Sequence, residues 1–286
     1  MKRSFLCAVR LGLLFLPLQA LELSVGGGFG NLRFDPDQDR SLGAAGESYS
    51  PSLYFPVDAV LSGDAFDRFS YTVAFKRGPV LGNQLSALIG VDLGYGSLAV
   101  GPVFGLWNNF DEFIKPGLSV QASLDFPGKA FAVLEGNSTL GALVTEDDYA
   151  AEYGRIALGF WVPYVVITLN AEREEFLTNK SGGFIRDSRL RYSLNAAAFK
   201  KNVPYTIDLD FGYQILAREY NATGDTDSLR SLFLGCEFRT DLRPGFTLIL
   251  GGEAHLYTWG KDPLKAPQRS TILYEARTGF IWALGD

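Results

Sequence analysis

The sequence predicts an all-β chain that closes on itself as a single antiparallel, up-and-down barrel of about fourteen strands, with twelve as the alternative count. Three observations lead there. Apolar and polar residues alternate with period two through most of the chain. The connections between the alternating segments are short and long by turns. No stretch supplies the roughly 20 apolar residues that a helical membrane span requires.

Composition points the same way. Of 286 residues, 14% are aromatic, and aromatic side chains favour strands over helices. Only 20% are charged, a little below the usual quarter for soluble domains.

The first twenty residues read as a secretory signal. Lys2 and Arg3 make a positive start, Leu11 to Leu18 an apolar core, and Ala20 a plausible last residue before cleavage. The expected organisation is therefore a signal peptide at 1–20 and a barrel at 21–286. Removing the signal removes Lys2, Arg3 and Arg10 and no acid, which leaves 23 bases against 32 acids, a net −9. That balance argues against nucleic acid as a partner. Cys7 lies before the apolar core, the wrong place for a lipid-modified N-terminus. Cys236 is then alone, so no intramolecular disulfide forms. One histidine and one cysteine leave no transition-metal site of the usual ligands, and nothing implies a cofactor.

Taken in order, the predicted strands are 21–34, 49–60, 67–76, 84–95, 97–107, 115–126, 130–143, 152–162, 164–173, 187–199, 205–217, 229–240, 246–258 and 270–284. The clearest is 205–217. Tyr205, Ile207, Leu209, Phe211, Tyr213 and Ile215 fall on one face; Thr206, Asp208, Asp210, Gly212 and Gln214 fall on the other. A helix would mix these sets around its circumference, whereas a strand separates them. Residues 116–126 repeat the pattern, with Leu118, Val120, Ala122 and Leu124 against Ser119, Gln121 and Ser123. Residues 130–143 alternate poorly, and a miscount over 130–162 is what would give twelve strands. Gly26-Gly27-Gly28-Phe29-Gly30 lacks nucleotide-loop spacing; its glycines fit a crowded, curved strand.

Short connections centre on Ser62-Gly63-Asp64, Tyr95-Gly96, Pro127-Gly128-Lys129, Pro163, 201–204 and 241–245. Long polar ones occupy 35–48, 77–83, 108–114, 144–151, 174–186, 218–228 and 259–269. Six short and seven long connections join fourteen strands and put both ends on the short-turn side. Aromatic pairs bracket four short turns: Phe126 and Phe131, Trp161 and Tyr164, Phe199 and Tyr205, Phe238 and Phe246. Rings with an apolar body and a polar tip suit a membrane–water boundary, so these pairs are expected to form a girdle.

A soluble sandwich also alternates, but it needs Greek-key crossovers and has no systematic difference between its two ends. The pattern instead resembles the outer-membrane β-barrel proteins of double-membraned bacteria, over the whole chain but without a signature motif. Tyr274, Phe280, Trp282 and Leu284 resemble the terminal signal such proteins present to the insertion machinery, although Asp286 ends the chain where an aromatic is usual. The resemblance implies the outer membrane as location, and the lipid bilayer and that machinery as partners.

With apolar faces toward lipid, the other faces line a lumen. From residue 187 onward that lining carries Arg189, Arg191, Asp208, Asp210, Glu237, Arg239, Glu253, His255, Glu275 and Arg277. Earlier strands offer mainly Gly, Ser, Gln and Ala, with Asp92 and Glu172. The ten charged and titratable residues are the candidate binding residues, for small solutes. A loop centred at 264–265 would set Glu253 beside Arg277 and His255 beside Glu275; one step of slip would set Glu253 against Glu275. The expected function is a porin-like channel for passive passage of small hydrophilic solutes. The alternatives are an adhesin or structural barrel acting through loops 35–48, 174–186 and 218–228 and, on weaker grounds, a fatty-acid-type transporter. An outer-membrane hydrolase using His255 with Ser231 or Ser270 is the remaining option; no spacing enforces it, and the chain is not expected to be an enzyme.

Overall fold

The protein is described by a computed structural model at residues 20–30, 54–66, 68–78, 80–106, 114–139, 148–180, 183–199, 203–220, 224–259 and 272–284. The predicted signal segment up to residue 19 and the loops 35–48 and 108–113 lie outside these residues, as do 144–147 and 260–269. β1 begins at Ala20 itself.

Fourteen strands form one closed sheet. They are β1 (Ala20–Gly30), β2 (Val57–Phe66), β3 (Phe69–Gly78), β4 (Gly82–Asp92), β5 (Gly96–Leu106), β6 (Ile114–Phe126) and β7 (Ala130–Thr139), followed by β8 (Asp148–Val162), β9 (Val165–Lys180), β10 (Gly183–Phe199), β11 (Tyr205–Tyr220), β12 (Asp225–Arg243), β13 (Phe246–Trp259) and β14 (Ile272–Leu284). Each pairs antiparallel with its sequence neighbours, and β1 closes on β14 with Leu21 opposite Leu284 and Gly30 opposite Glu275. Closure leaves no edge strand. The glycine run of β1 serves this seam: a Cβ at Gly28 would sit 2.2 Å from the Ala276 carbonyl oxygen.

Several boundaries differ from expectation. Ser62-Gly63-Asp64 is not a turn; these residues pair with Thr72, Tyr71 and Ser70 inside the β2–β3 hairpin, whose last pair is Phe66 with Phe69. The alternation Val57, Ala59, Leu61 simply continues through Gly63. The supposed long connection 77–83 closes tightly, with Gly78 opposite Gly82. The polar stretches 174–186 and 218–228 are mostly strand: Lys180 pairs with Gly183, and Tyr220 with Asp225. At Pro163-Tyr164 the strands reverse in two residues, with Tyr164 at φ 67°, a left-handed conformation that a non-glycine residue adopts only under constraint.

The outer wall is a belt. Leu158, Leu169, Leu194, Phe211 and Leu234 lie side by side across β8 to β12 and continue through Ala254 to Tyr274. All of these large side chains are exposed. No water-facing surface would present such a row, whereas hydrocarbon accepts it. Near the short turns Tyr205 stacks on Phe238 at 5.9 Å and Phe246 on Phe280 at 5.7 Å. Phe131 and Trp161 do not join this outer girdle. Phe131 shares the inward face with Gly159, where a Cβ would meet its ring at 2.1 Å, and Trp161 and Phe199 follow it edge to face on the same side.

The belt stops at charged residues. Up the outer face of β9, Val165, Ile167, Leu169 and Ala171 give way to Arg173 and Glu175. At the same level Glu152, Arg186, Glu219 and Arg230 appear on β8, β10, β11 and β12. There the inner face becomes tightly packed: Tyr149, Phe176 and Leu216 are fully buried, Tyr149 stacks on Phe176 at 5.5 Å, and Arg218 is buried against Asp187. The barrel thus has two tiers, a charged lumen inside an apolar belt and, on the long-loop side, a packed cap inside a charged rim.

Candidate functional site

The inward side chains of β7 to β10 make a row of alternating sign. Glu135 sits opposite Arg155, Arg155 opposite Glu172, and Glu172 opposite Arg191. Opposite charges directly across an antiparallel pair stabilise it by about 0.2–1 kcal/mol each. Arg155 lies 3.6 Å from Glu135 and donates to Asn170 at 3.2 Å. One residue pair nearer the cap, Arg189 bridges Glu172 at 2.7 Å and Glu174 at 2.8 Å.

Arg191 is the most heavily engaged cation. It donates to Asp210 at 2.6 Å and reaches across two strands to both oxygens of Glu253, at 3.0 and 2.5 Å. Its guanidinium also lies 3.9 Å from the Phe233 ring centroid, a cation–π contact. Glu253 is held further by His255 Nε2, and His255 Nδ1 lies 3.3 Å from Ser231 Oγ. This is the order of a serine–histidine–carboxylate relay. Yet Ser231 and His255 are buried, and the strands that carry them are paired on both sides.

The register of β13 and β14 corrects the expected contacts. Glu253 faces Glu275, Arg277 faces Gly251, and His255 faces Leu273. The slipped arrangement prevails because each carboxylate has its own cation: Arg191 serves Glu253, and Arg277 donates to Glu275 two residues along its own strand. Gly251 and Gly252 leave room beside them.

Nine of the ten candidates, Arg189, Arg191, Asp208, Asp210, Glu237, Arg239, Glu253, Glu275 and Arg277, line one cavity of about 480 Å³, and His255 lies buried at its cap side. A second cavity of about 470 Å³ lies against β1 to β4 and shares Glu172, Arg189, Glu237, Arg239 and Arg277 with the first. Both fall in the size range of small-molecule sites. The sequence reasoning missed Glu135, Arg155, Glu174 and Lys76. Lys76, with Glu174, lines the second cavity. Inward parity with Phe131 and Val133 was the available signal for Glu135. Among the described residues no group of histidine, cysteine and carboxylates could hold a metal ion.

A closed antiparallel barrel with a lipid-compatible outer wall and a charged bore is the architecture of bacterial outer-membrane β-barrel proteins. No family model matches the chain, and no curated protein is similar to it in sequence. Among solved structures it is similar to an outer-membrane channel of Pseudomonas putida F1, with TM-score 0.53 and 11% identity over 94% of this chain and 97% of that one. It is also similar to a FadL homologue of Pseudomonas aeruginosa, with TM-score 0.47 and 11% identity over 94% of this chain and 90% of that one. The outer-membrane channel DcaP of Acinetobacter baumannii gives TM-score 0.46 and 7% identity, covering 93% and 96%. At these identities the likeness speaks to the fold.

Proposed function

We propose that this protein is an outer-membrane channel through which small hydrophilic solutes pass passively. The observation that carries the reading is the pair of adjoining cavities, about 480 and 470 Å³, lined by Arg189, Arg239 and Arg277 inside an apolar belt. A barrel serving only as a scaffold could fill its bore with side chains, as eight-stranded barrels do; fourteen strands enclose more room. The similarity in fold to the P. putida channel supports the reading. The cap of Tyr149, Phe176 and Leu216 then sets the size limit at the long-loop end.

An adhesin acting through long loops has less support, because 174–186 and 218–228 are largely hairpin strand. A fatty-acid carrier would want an apolar bore at membrane level, and the row Glu135–Arg155–Glu172–Arg191 is the opposite. The test is conductance of the purified, folded protein in a planar bilayer. Discrete ohmic steps are expected. A protein that shows heat-modifiable migration, and so is folded, yet carries no current would remove the channel reading.

A further inference from the structure

We infer that the lumen prefers small anions, held at the outer edges of two arginines, Arg239 and Arg277, with Arg155 adding positive charge to the same cavity. The inference rests on the channel reading and adds a solute class to it.

The formal charges of the lining nearly balance, so counting charges predicts no preference. The placement of those charges is not balanced. In each of three pairs the guanidinium reaches farther into the lumen than its carboxylate. The side chain of Arg277 is 57% exposed against 13% for Glu275, Arg239 46% against 32% for Glu237, and Arg155 35% against 22% for Glu135. All three arginines line the first cavity. Arg189 and Arg191 behave differently: each is clasped by two carboxylates and mostly covered, so they act as wall.

The geometry of the pairs gives the preference a chemical form. Arg239 and Arg277 meet Glu237 and Glu275 through Nε. That contact uses the inner edge of the guanidinium and leaves the two terminal nitrogens toward the bore, where Arg239 Nη2 lies 3.9 Å from Asp208, beyond hydrogen-bond distance. A planar fork of this kind matches a carboxylate or phosphate, which can accept two parallel hydrogen bonds. Enclosure by low-dielectric walls raises the local concentration of the ion it attracts.

A competing field exists. Glu22, Asp64, Asp92 and Asp125 are exposed near the short turns, on the same strand faces as the lumenal residues. They stand at an open mouth, where physiological salt screens charge within about 8 Å. The arginines stand inside the cavity, where screening is weaker.

The experiment is the reversal potential of the full, folded chain in a bilayer under a KCl gradient. Chloride is expected to be preferred by about threefold, as for pores lined with arginine. The Arg239→Gln/Arg277→Gln pair should bring the ratio to unity or below, Arg239→Lys should keep the preference, and Asp64→Asn/Asp92→Asn should leave chloride preferred. A potassium preference in the unaltered chain, or a chloride preference that survives the double arginine change, overturns the inference and leaves the channel reading standing. If the folded protein carries no current, the channel reading falls. Calorimetric titration of the same sample with citrate and with spermidine then decides the anion site. Citrate binding weakened at least about tenfold by the double change supports it; absent citrate binding, or tighter spermidine binding, overturns it.

Discussion

The belt-level and loop-end parts of β8 to β12 are continuous strands, yet they sort their side chains in opposite ways. At the belt, Leu169, Leu194 and Phe211 point outward, and Glu172, Arg191 and Asp210 point inward. A few residues farther along, Arg173, Arg186 and Glu219 point outward, and Phe176, Ile185 and Leu216 are buried inside. The backbone pairing does not change; the solvent does. Hydrocarbon outside lets the lumen be polar and wet. Where water lies outside, the interior packs as in a soluble protein: many charges move to the rim, and those left inside are closed into buried pairs such as Arg218 with Asp187.

Substitutions that break this contrast differ in size. The largest effect is expected at Arg218, which clasps Asp187 with two hydrogen bonds of 2.5 and 2.7 Å, both side chains being 3% exposed. Arg218→Ala strands a buried carboxylate inside the cap, and equilibrium unfolding in lipid vesicles should show a loss of about 3–5 kcal/mol. Next is Leu209→Arg, a charge placed on the outer face at belt level, which should cost about 2–4 kcal/mol in the same assay. The smallest is Glu152→Leu on the charged outer rim, where stability should stay within about 0.5 kcal/mol. An equal cost at 209 and 152 would mean that the belt has no upper limit there. For the cap, Tyr149→Ala/Phe176→Ala should raise unitary conductance by about twofold if these rings set the size limit; unchanged conductance would place the limit elsewhere.

The same contrast explains what the sequence disclosed and what it hid. β11 was legible because Tyr205 to Ile215 keep one phase of alternation while the strand stays in the belt. The parity that put Arg189 to Arg277 on one face follows from the same regularity. Residues 174–186 and 218–228 read as loops because the phase inverts as the strands leave hydrocarbon, which looks locally like loss of pattern. The β2–β3 turn was misplaced because Ser62-Gly63-Asp64 has turn composition, whereas Gly63 lies in the sheet opposite Tyr71. The partner of Glu253 was out of reach of pairwise register arguments. Arg191 comes from β10, two strands beyond the nearest hairpin, and only barrel curvature brings it across. Glu135 was overlooked because Ala130–Thr139 mixes small residues on both faces.

Cys236 offers the most direct test of the sorting itself. It stands on β12 between Leu234 and Phe238, faces outward, and is exposed. Its neighbour Glu237 turns to the opposite face, where it accepts a hydrogen bond from lumenal Arg239. In a Cys7→Ser chain, a nitroxide attached to Cys236 before refolding into vesicles should collide freely with oxygen and poorly with a water-soluble nickel chelate. A nitroxide at Glu237→Cys, in a chain also carrying Cys236→Ala, should show the reverse. Equal nickel accessibility at the two adjacent positions would contradict a wall that separates hydrocarbon from a watery bore.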